Sequence, residues 1–198
     1  LQDLLDHFAY LRDGLRHSLP TEAADIACAY LAESVRQLPG MPDDLPTFIE
    51  GNAPISLLAH QYLQSLLRGE RHVASRLVLD AVVGGTPVKA IYLGVFQLCQ
   101  REIGRLWQTN QISVAQEHYC TAATQWVMSQ LYPYIFVGDK DAGRLVATCI
   151  AAELHEIGVR MVADFFEMEG WDTFYLGANT PTDSILGALA EHRADVLG

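Results

Sequence analysis

The chain has 198 residues, half of them hydrophobic, with 13 basic and 24 acidic side chains and a net charge of −11. That length allows two small domains or one large one with a sizeable core. The acidic balance and the lack of a basic stripe exclude a direct grip on a nucleic-acid backbone. No apolar run approaches the ~20 residues that cross a bilayer, so no membrane contact is expected. No signal peptide is legible, Leu1 reads as the start of a trimmed chain, and the expected location is the cytoplasm. Cys28, Cys99, Cys120 and Cys149 lack metal-ligand or redox spacing and sit in apolar patterns, which makes them small core residues.

Taken in order, the periodicity predicts a helix over 2–17, where Leu4, Leu5, Phe8, Leu11 and Leu15 recur at helical spacing. Pro20-Thr21-Glu22 restarts the chain and a second helix follows over 23–38. Pro39, Gly40, Pro42 and Pro46 make a loop, with a short helix near Thr47 to Gly51. Residues 1–53 therefore form a helical extension, and dimerisation, linkage to another module or part of a ligand pocket all remain open for it.

Residues 54–68 give a third helix with Pro54 at its first position. Gly69 breaks it and 70–83 gives a fourth. Thr86 as N-cap and Pro87 in the first turn start a fifth helix, through Ile91, Val95, Leu98, Ile103 and Leu106 to about Gln108. Ser113 and Gln116 form a capping box for a sixth, which ends near Tyr132. Short loops between long helices predict an antiparallel four-helix bundle over 54–137, and Gly138 to Gly143 is the linker beyond it.

The last stretch changes character. Leu145 to Ala152 fits a buried strand; an amphipathic helix follows, with Val159, Val162, Ala163 and Phe166 on one side; Gly170 stops it; and Trp171 to Leu176 fits a second strand. A strand–helix–strand unit implies a parallel pair, and Asp195 to Gly198 resembles the start of a third strand. Residues 143–198 are thus the beginning of a doubly wound, Rossmann-like α/β domain, truncated at Gly198, and the natural protein is expected to continue.

Two constellations carry chemistry. Glu153-x-His155-x-x-Gly158 lies where the first strand passes into its helix, the rim at which open α/β sheets bind ligands. Trp107, then nine residues, then Glu117-His118 are brought to one end of the bundle by the turn between the fifth and sixth helices. On their own residues, bland alternatives stand beside both: His155 as a helix-start histidine without a metal, Trp107 as core, and Glu117 as a favourable acid at a helix N-terminus.

Glu153-x-His155-x-x-Gly158 resembles the Asp/Glu-x-His-x-x-Gly signature of cobalamin-binding domains. The resemblance implies that His155 replaces the cofactor's own base as lower ligand to cobalt. It implies too that Glu153 holds the other imidazole nitrogen and that Gly158 leaves room for the cofactor tail. Leu176 to Pro181 resembles the loop after the second strand there, which brings Asn179, Thr180 and Pro181 into the cofactor site. Trp-x9-Glu-His on a preceding bundle, with Ile112-Ser113-Val114-Ala115-Gln116 leading into the pair, resembles CarH-type light sensors. In that family the bundle caps the upper face of adenosylcobalamin, and Trp107, Glu117 and His118 would line that pocket. The resemblance spans roughly 55–198.

Three departures matter. Gln108 stands where those sensors carry a second cobalt-binding histidine, a DNA-binding module is lacking, and the motifs that line the nucleotide-tail pocket would fall beyond Gly198. Photocobilins, which this chain also resembles, keep the bundle and cobalamin domain without a DNA-binding module and add a bilin. A biliverdin chromophore would draw on Tyr62, His60, Arg68, His72, Tyr92, Tyr119 or Arg105. What the resemblance implies is a non-enzymatic light sensor, homo-oligomeric, in which photolysis shifts the bundle against the α/β unit with the 138–143 linker as hinge. The alternatives are a corrinoid carrier for methyl transfer, and a domain that has lost cobalamin and binds haem, bilin or only a partner protein.

Overall fold

The computed structural model describes residues 2–40, 46–136 and 138–198, so Pro42 of the predicted loop lies outside the described residues. Two compact units divide the chain at Pro46. The first is a helical hairpin, α1 (Gln2–Ser18) and α2 (Thr21–Gln37), followed by a 3-10 turn at Leu38–Gly40. Pro20 is the N-cap of α2, which starts that helix two residues earlier than predicted. Among its described residues Ala24 and Cys28 are buried, while Leu4, Leu11, Ile26 and Tyr30 stay exposed.

The second unit opens without the helix expected at Thr47 to Gly51. Glu102 holds that segment in an irregular course instead: its Oε2 accepts the Phe48 amide at 2.9 Å, and Ile49 is buried in the core. Helices α3 (Pro54–Leu67), α4 (Arg71–Val83), α5 (Val88–Ile91), α6 (Gln97–Gln108) and α7 (Val114–Gln130) follow, with a short α8 (Tyr132–Ile135). Pro54 occupies the first turn of α3, and Ser113 and Gln116 close the capping box of α7. The fifth predicted helix differs at two points. Its N-cap is Pro87 rather than Thr86, and a π-helical stretch, Tyr92–Phe96, separates α5 from α6. Gly94 sits inside that stretch, and a Cβ there would lie 2.5 Å from Ile55 Cγ1. The close approach of α3 is thus possible only because residue 94 has no side chain.

Beyond the linker run β1 (Gly143–Ile150), α9 (Ile157–Met168), β2 (Trp171–Thr180), α10 (Thr182–His192) and β3 (Val196–Leu197). All pairings are parallel and the strand order is β2-β1-β3, the doubly wound arrangement expected. β1 leaves the sheet at Ile150, before the predicted Ala152, whose φ of 71° turns the chain away. β2 outruns its predicted end at Leu176, because two register irregularities opposite Thr148 let it continue through Gly177 at φ 87°. Asn179 and Thr180 therefore close a strand rather than sit in a loop, and Pro181 is the N-cap of α10.

One helix binds the unit together. Ile157, Met161, Phe165 and Met168 of α9 pack into the bundle core beside Tyr92 and Phe96. Val159, Ala163 and Phe166 pack on the sheet with Leu145, Ala147 and Trp171. Two buried stripes on one helix leave Val162 between them, 43 % exposed, which corrects its predicted place in the core face. The linker at 138–143 is tethered rather than free: Lys140 pairs with Glu167, and the Ala142 amide donates to Gly170 O at 3.1 Å.

Candidate functional site

Two elements deliver the bundle side of the site. α6 ends in a tight turn, where Asn110 takes φ 56° and the Gln111 amide donates to Leu106 O at 2.8 Å. The capped start of α7 then places Glu117 and His118 across from Trp107. His118 Nδ1 lies 2.7 Å from Glu117 Oε2, and the Thr121 hydroxyl lies 3.0 Å from both Glu117 Oε1 and Gln100 Oε1. Gln100 in turn donates to Thr124, whose hydroxyl also accepts from the enclosed Tyr62. Glu117 is thus the outer end of a polar chain running into the bundle core.

The sheet side is built from the turn after β1. Asn179 reaches over from β2: its Oδ1 accepts the Ala152 amide at 2.8 Å, and its own amide donates to Glu153 O at 3.0 Å. Thr180 Oγ1 lies 2.8 Å from Thr148 Oγ1, which ties the ends of the two strands together. Glu153 Oε1 accepts the His155 amide at 2.7 Å and lies 2.6 Å from His155 Nδ1. The backbone amide and then the ring of His155 hold the Glu153 carboxyl below its ordinary range. With Nδ1 engaged by a carboxylate, Nε2 is the free nitrogen, on a side chain that is 96 % exposed. Gly158 follows in the first turn of α9, where a Cβ would meet no atom within 4 Å.

The two sides meet in a cleft of about 490 Å³. Trp107, Glu117 and His118 line it from the bundle and His155 from the sheet rim, so four of the sequence-predicted residues share one space, together with Gln108. Glu153, Gly158, Asn179, Thr180 and Pro181 lie outside its lining; Glu153 and Asn179 reach it only by bracing the turn that carries His155. Gln100, Gly104, Val114, Thr121, Gln125, Leu154, Glu156 and Ile157 complete the lining and were not singled out from the sequence. One signal was present: Glu117, Thr121 and Gln125 recur every four residues, a single face of α7.

Of the residues considered for a bilin, Tyr62 and Tyr92 are wholly enclosed, their phenols spent on Thr124 and Asp164. Arg105 pairs with Glu102, Arg68 with Glu70, and the Tyr119 hydroxyl donates to Gly69 O. His72 packs edge-on against Trp126.

Chemically, the arrangement offers a metal one imidazole with its tautomer fixed, at the open mouth of a cleft walled by an indole and aliphatic side chains. A bare ion asks for three or more protein ligands. A single oriented histidine instead suits a metal whose remaining ligands come with a macrocycle, and the open space beside Gly158 suits an extended group lying along the backbone.

The chain carries a cobalamin-binding module. Residues 58–132 match one family model described as a B12 binding domain, and residues 143–198 match a second described in the same words. The chain is similar to the HTH-type transcriptional repressor CarA of Myxococcus xanthus, 29% identical over 120 residues, a match covering 61% of this chain and 40% of that protein. It also resembles the monomethylamine corrinoid protein of Methanosarcina barkeri in fold, with a TM-score of 0.61 at 20% identity over 71% of this chain and 68% of that one. Among the described residues no helix is long and apolar enough to cross a membrane.

Proposed function

We propose that this chain is the sensory module of a cobalamin-dependent light receptor. In this reading His155 is the lower ligand to cobalt, and Trp107, Glu117 and His118 guard the opposite face of the corrin. The observation that carries it is the single cleft in which the imidazole from the sheet rim and the Trp/Glu/His cluster from the bundle face common space. Bound there as its adenosyl form, the cofactor would supply a light-labile cobalt–carbon bond. Glu153 would keep Nδ1 of His155 protonated so that Nε2 is presented to the metal. Trp107, 47 % exposed, has the free surface to pack on an upper ligand, and Glu117 and His118 have polar edges to hold one.

Loss of that ligand would change what fills the cleft between bundle and rim, and so would bias their packing, a population shift that an output module could read. Cytoplasmic placement and a homo-oligomer belong to the same reading; the exposed Leu4, Leu11, Ile26 and Tyr30 of the N-terminal hairpin supply apolar surface for the latter. A biliverdin, which the photocobilin resemblance implies, would draw on His60, Arg68, His72, Arg105 or Tyr119, since Tyr62 and Tyr92 are enclosed.

The test is an absorption spectrum of the protein loaded with adenosylcobalamin, in darkness and after illumination. Corrinoid bands that bleach with light, accompanied by a change in the protein's elution volume on a sizing column, support the sensor. Bleaching without any change in the protein assigns a corrinoid carrier instead, and no bands after loading overturn the cofactor altogether.

A further inference from the structure

We infer that Glu156 is the clasp through which the bundle and the α/β half sense one another; the inference rests on the cobalamin reading above. Glu156 stands at the N-cap of α9, one residue after His155, yet makes no side-chain cap to its own helix. Its carboxylate instead joins two other elements. Oε1 accepts from Gln125 Nε2 of α7 at 3.0 Å, and Oε2 accepts from the Tyr175 hydroxyl of β2 at 2.9 Å. Gly177 of β2 lies against it: the backbone there takes a φ of 87° that a side chain resists, and a Cβ would stand in ordinary contact with Oε2 at 3.4 Å.

The partner on α7 gives this placement its meaning. Gln125 is the inner end of the stripe Glu117, Thr121, Gln125, whose three side chains all line the cleft. The outer end of the stripe lies with Trp107 and His118, and the inner end holds the residue beside His155. One helix face therefore runs from the side of the cleft where an upper ligand would sit to the root of the proposed lower ligand. A shift of α7 that follows a change at Glu117 must stretch or break the Gln125–Glu156 bond, and with it the seat of α9 against Tyr175. Glu156 is a positioning residue in this scheme: it touches no metal, and it fixes where the turn bearing His155 stands relative to the bundle.

The experiment compares wild type, Glu156→Ala, Glu156→Gln and Gln125→Leu, each loaded with adenosylcobalamin. Hydrogen–deuterium exchange of peptides covering α9 is read before and after illumination and expressed per molecule bleached. In wild type, light should change α9 exchange. In Glu156→Ala and Gln125→Leu that change should fall about five-fold or more, the scale of one net hydrogen bond. Glu156→Gln should keep it, because its amide can accept from Gln125 and donate to the Tyr175 oxygen. An undiminished response in Glu156→Ala or Gln125→Leu, a Glu156→Gln response that falls with them, or a bleaching wild type without any α9 change overturns the clasp and leaves the cobalamin reading standing. A wild type that takes up no corrinoid or does not bleach overturns that reading, and the clasp with it.

Discussion

Thr124→Val is a small change with a large expected effect. Thr124 is wholly enclosed on α7; its hydroxyl accepts from the Tyr62 phenol at 3.0 Å and from Gln100 Nε2 at 2.9 Å, and donates to Cys120 O at 2.9 Å. Valine keeps the shape, and the extra buried methyl stabilises by about 1 kcal/mol. Against that, the enclosed phenol of Tyr62, which burial keeps firmly protonated, loses its acceptor at a cost of about 1–3 kcal/mol. Half-buried Gln100 can turn partly to water and costs about 0.5–1 kcal/mol. The Cys120 carbonyl keeps its place in the helix ladder and adds little. The net is about 2 kcal/mol of lost stability, or a fall in Tm of about 4–8 °C for a protein of this size, read by calorimetry. Adding Tyr62→Phe removes the stranded donor, so the double variant should melt higher than Thr124→Val alone. A Thr124→Val protein melting within about 1 °C of wild type, or a double variant no better than the single, would refute the assignment of this hydroxyl as the hub of the chain that ends at Glu117.

Further outcomes can be checked independently. Glu153→Ala removes both bonds that orient His155, and should weaken corrinoid uptake by about 10–100-fold in an absorbance titration; unchanged uptake contradicts the bracing role. Trp107→Ala should leave the corrin bound but lower the preference for adenosylcobalamin over hydroxocobalamin by about tenfold, the scale of truncating an aromatic anchor; an unchanged preference removes Trp107 from the upper face. Burial raises the Asp164 carboxyl to about 6, against the hydrogen bond from Tyr92 and the charge of Arg160, with Glu167 pushing the same way as burial. The folded pKa lies above the unfolded one, so the native state holds the proton more tightly, and this contribution to stability grows as pH falls from above 6 to about 4. Asp164→Asn should therefore raise Tm most at neutral pH, and its advantage over wild type should shrink on acidification; a gap independent of pH contradicts the shift.

What the sequence made legible followed from local rules. The capping box at Ser113 and Gln116, Pro54 in the first turn of α3, and the parallel unit around Glu153, His155 and Gly158 each rest on neighbours a few residues apart. What it hid depends on contacts made across the chain. The close packing of α3 on the π-helical stretch depends on Gly94 facing Ile55, the irregular course at Thr47 to Gly51 goes with Glu102 taking the Phe48 amide, and the exposure of Val162 follows from α9 packing on two sides at once. Trp107, Glu117, His118 and His155 were visible as residues, but only the fold puts them around one cleft. Glu156 stood next to His155 in plain view; its partners Gln125 and Tyr175 lie 31 residues before and 19 after it, so its bridging role had no local signal.

The central claim, that His155 Nε2 binds cobalt, is tested most directly by electron paramagnetic resonance of the cob(II)alamin-loaded protein carrying ¹⁵N-labelled histidine. The account predicts nitrogen splitting on the cobalt signal that changes from the ¹⁴N to the ¹⁵N pattern on labelling and is lost in His155→Ala. A splitting that ignores the label, or that survives unaltered in His155→Ala, would contradict it.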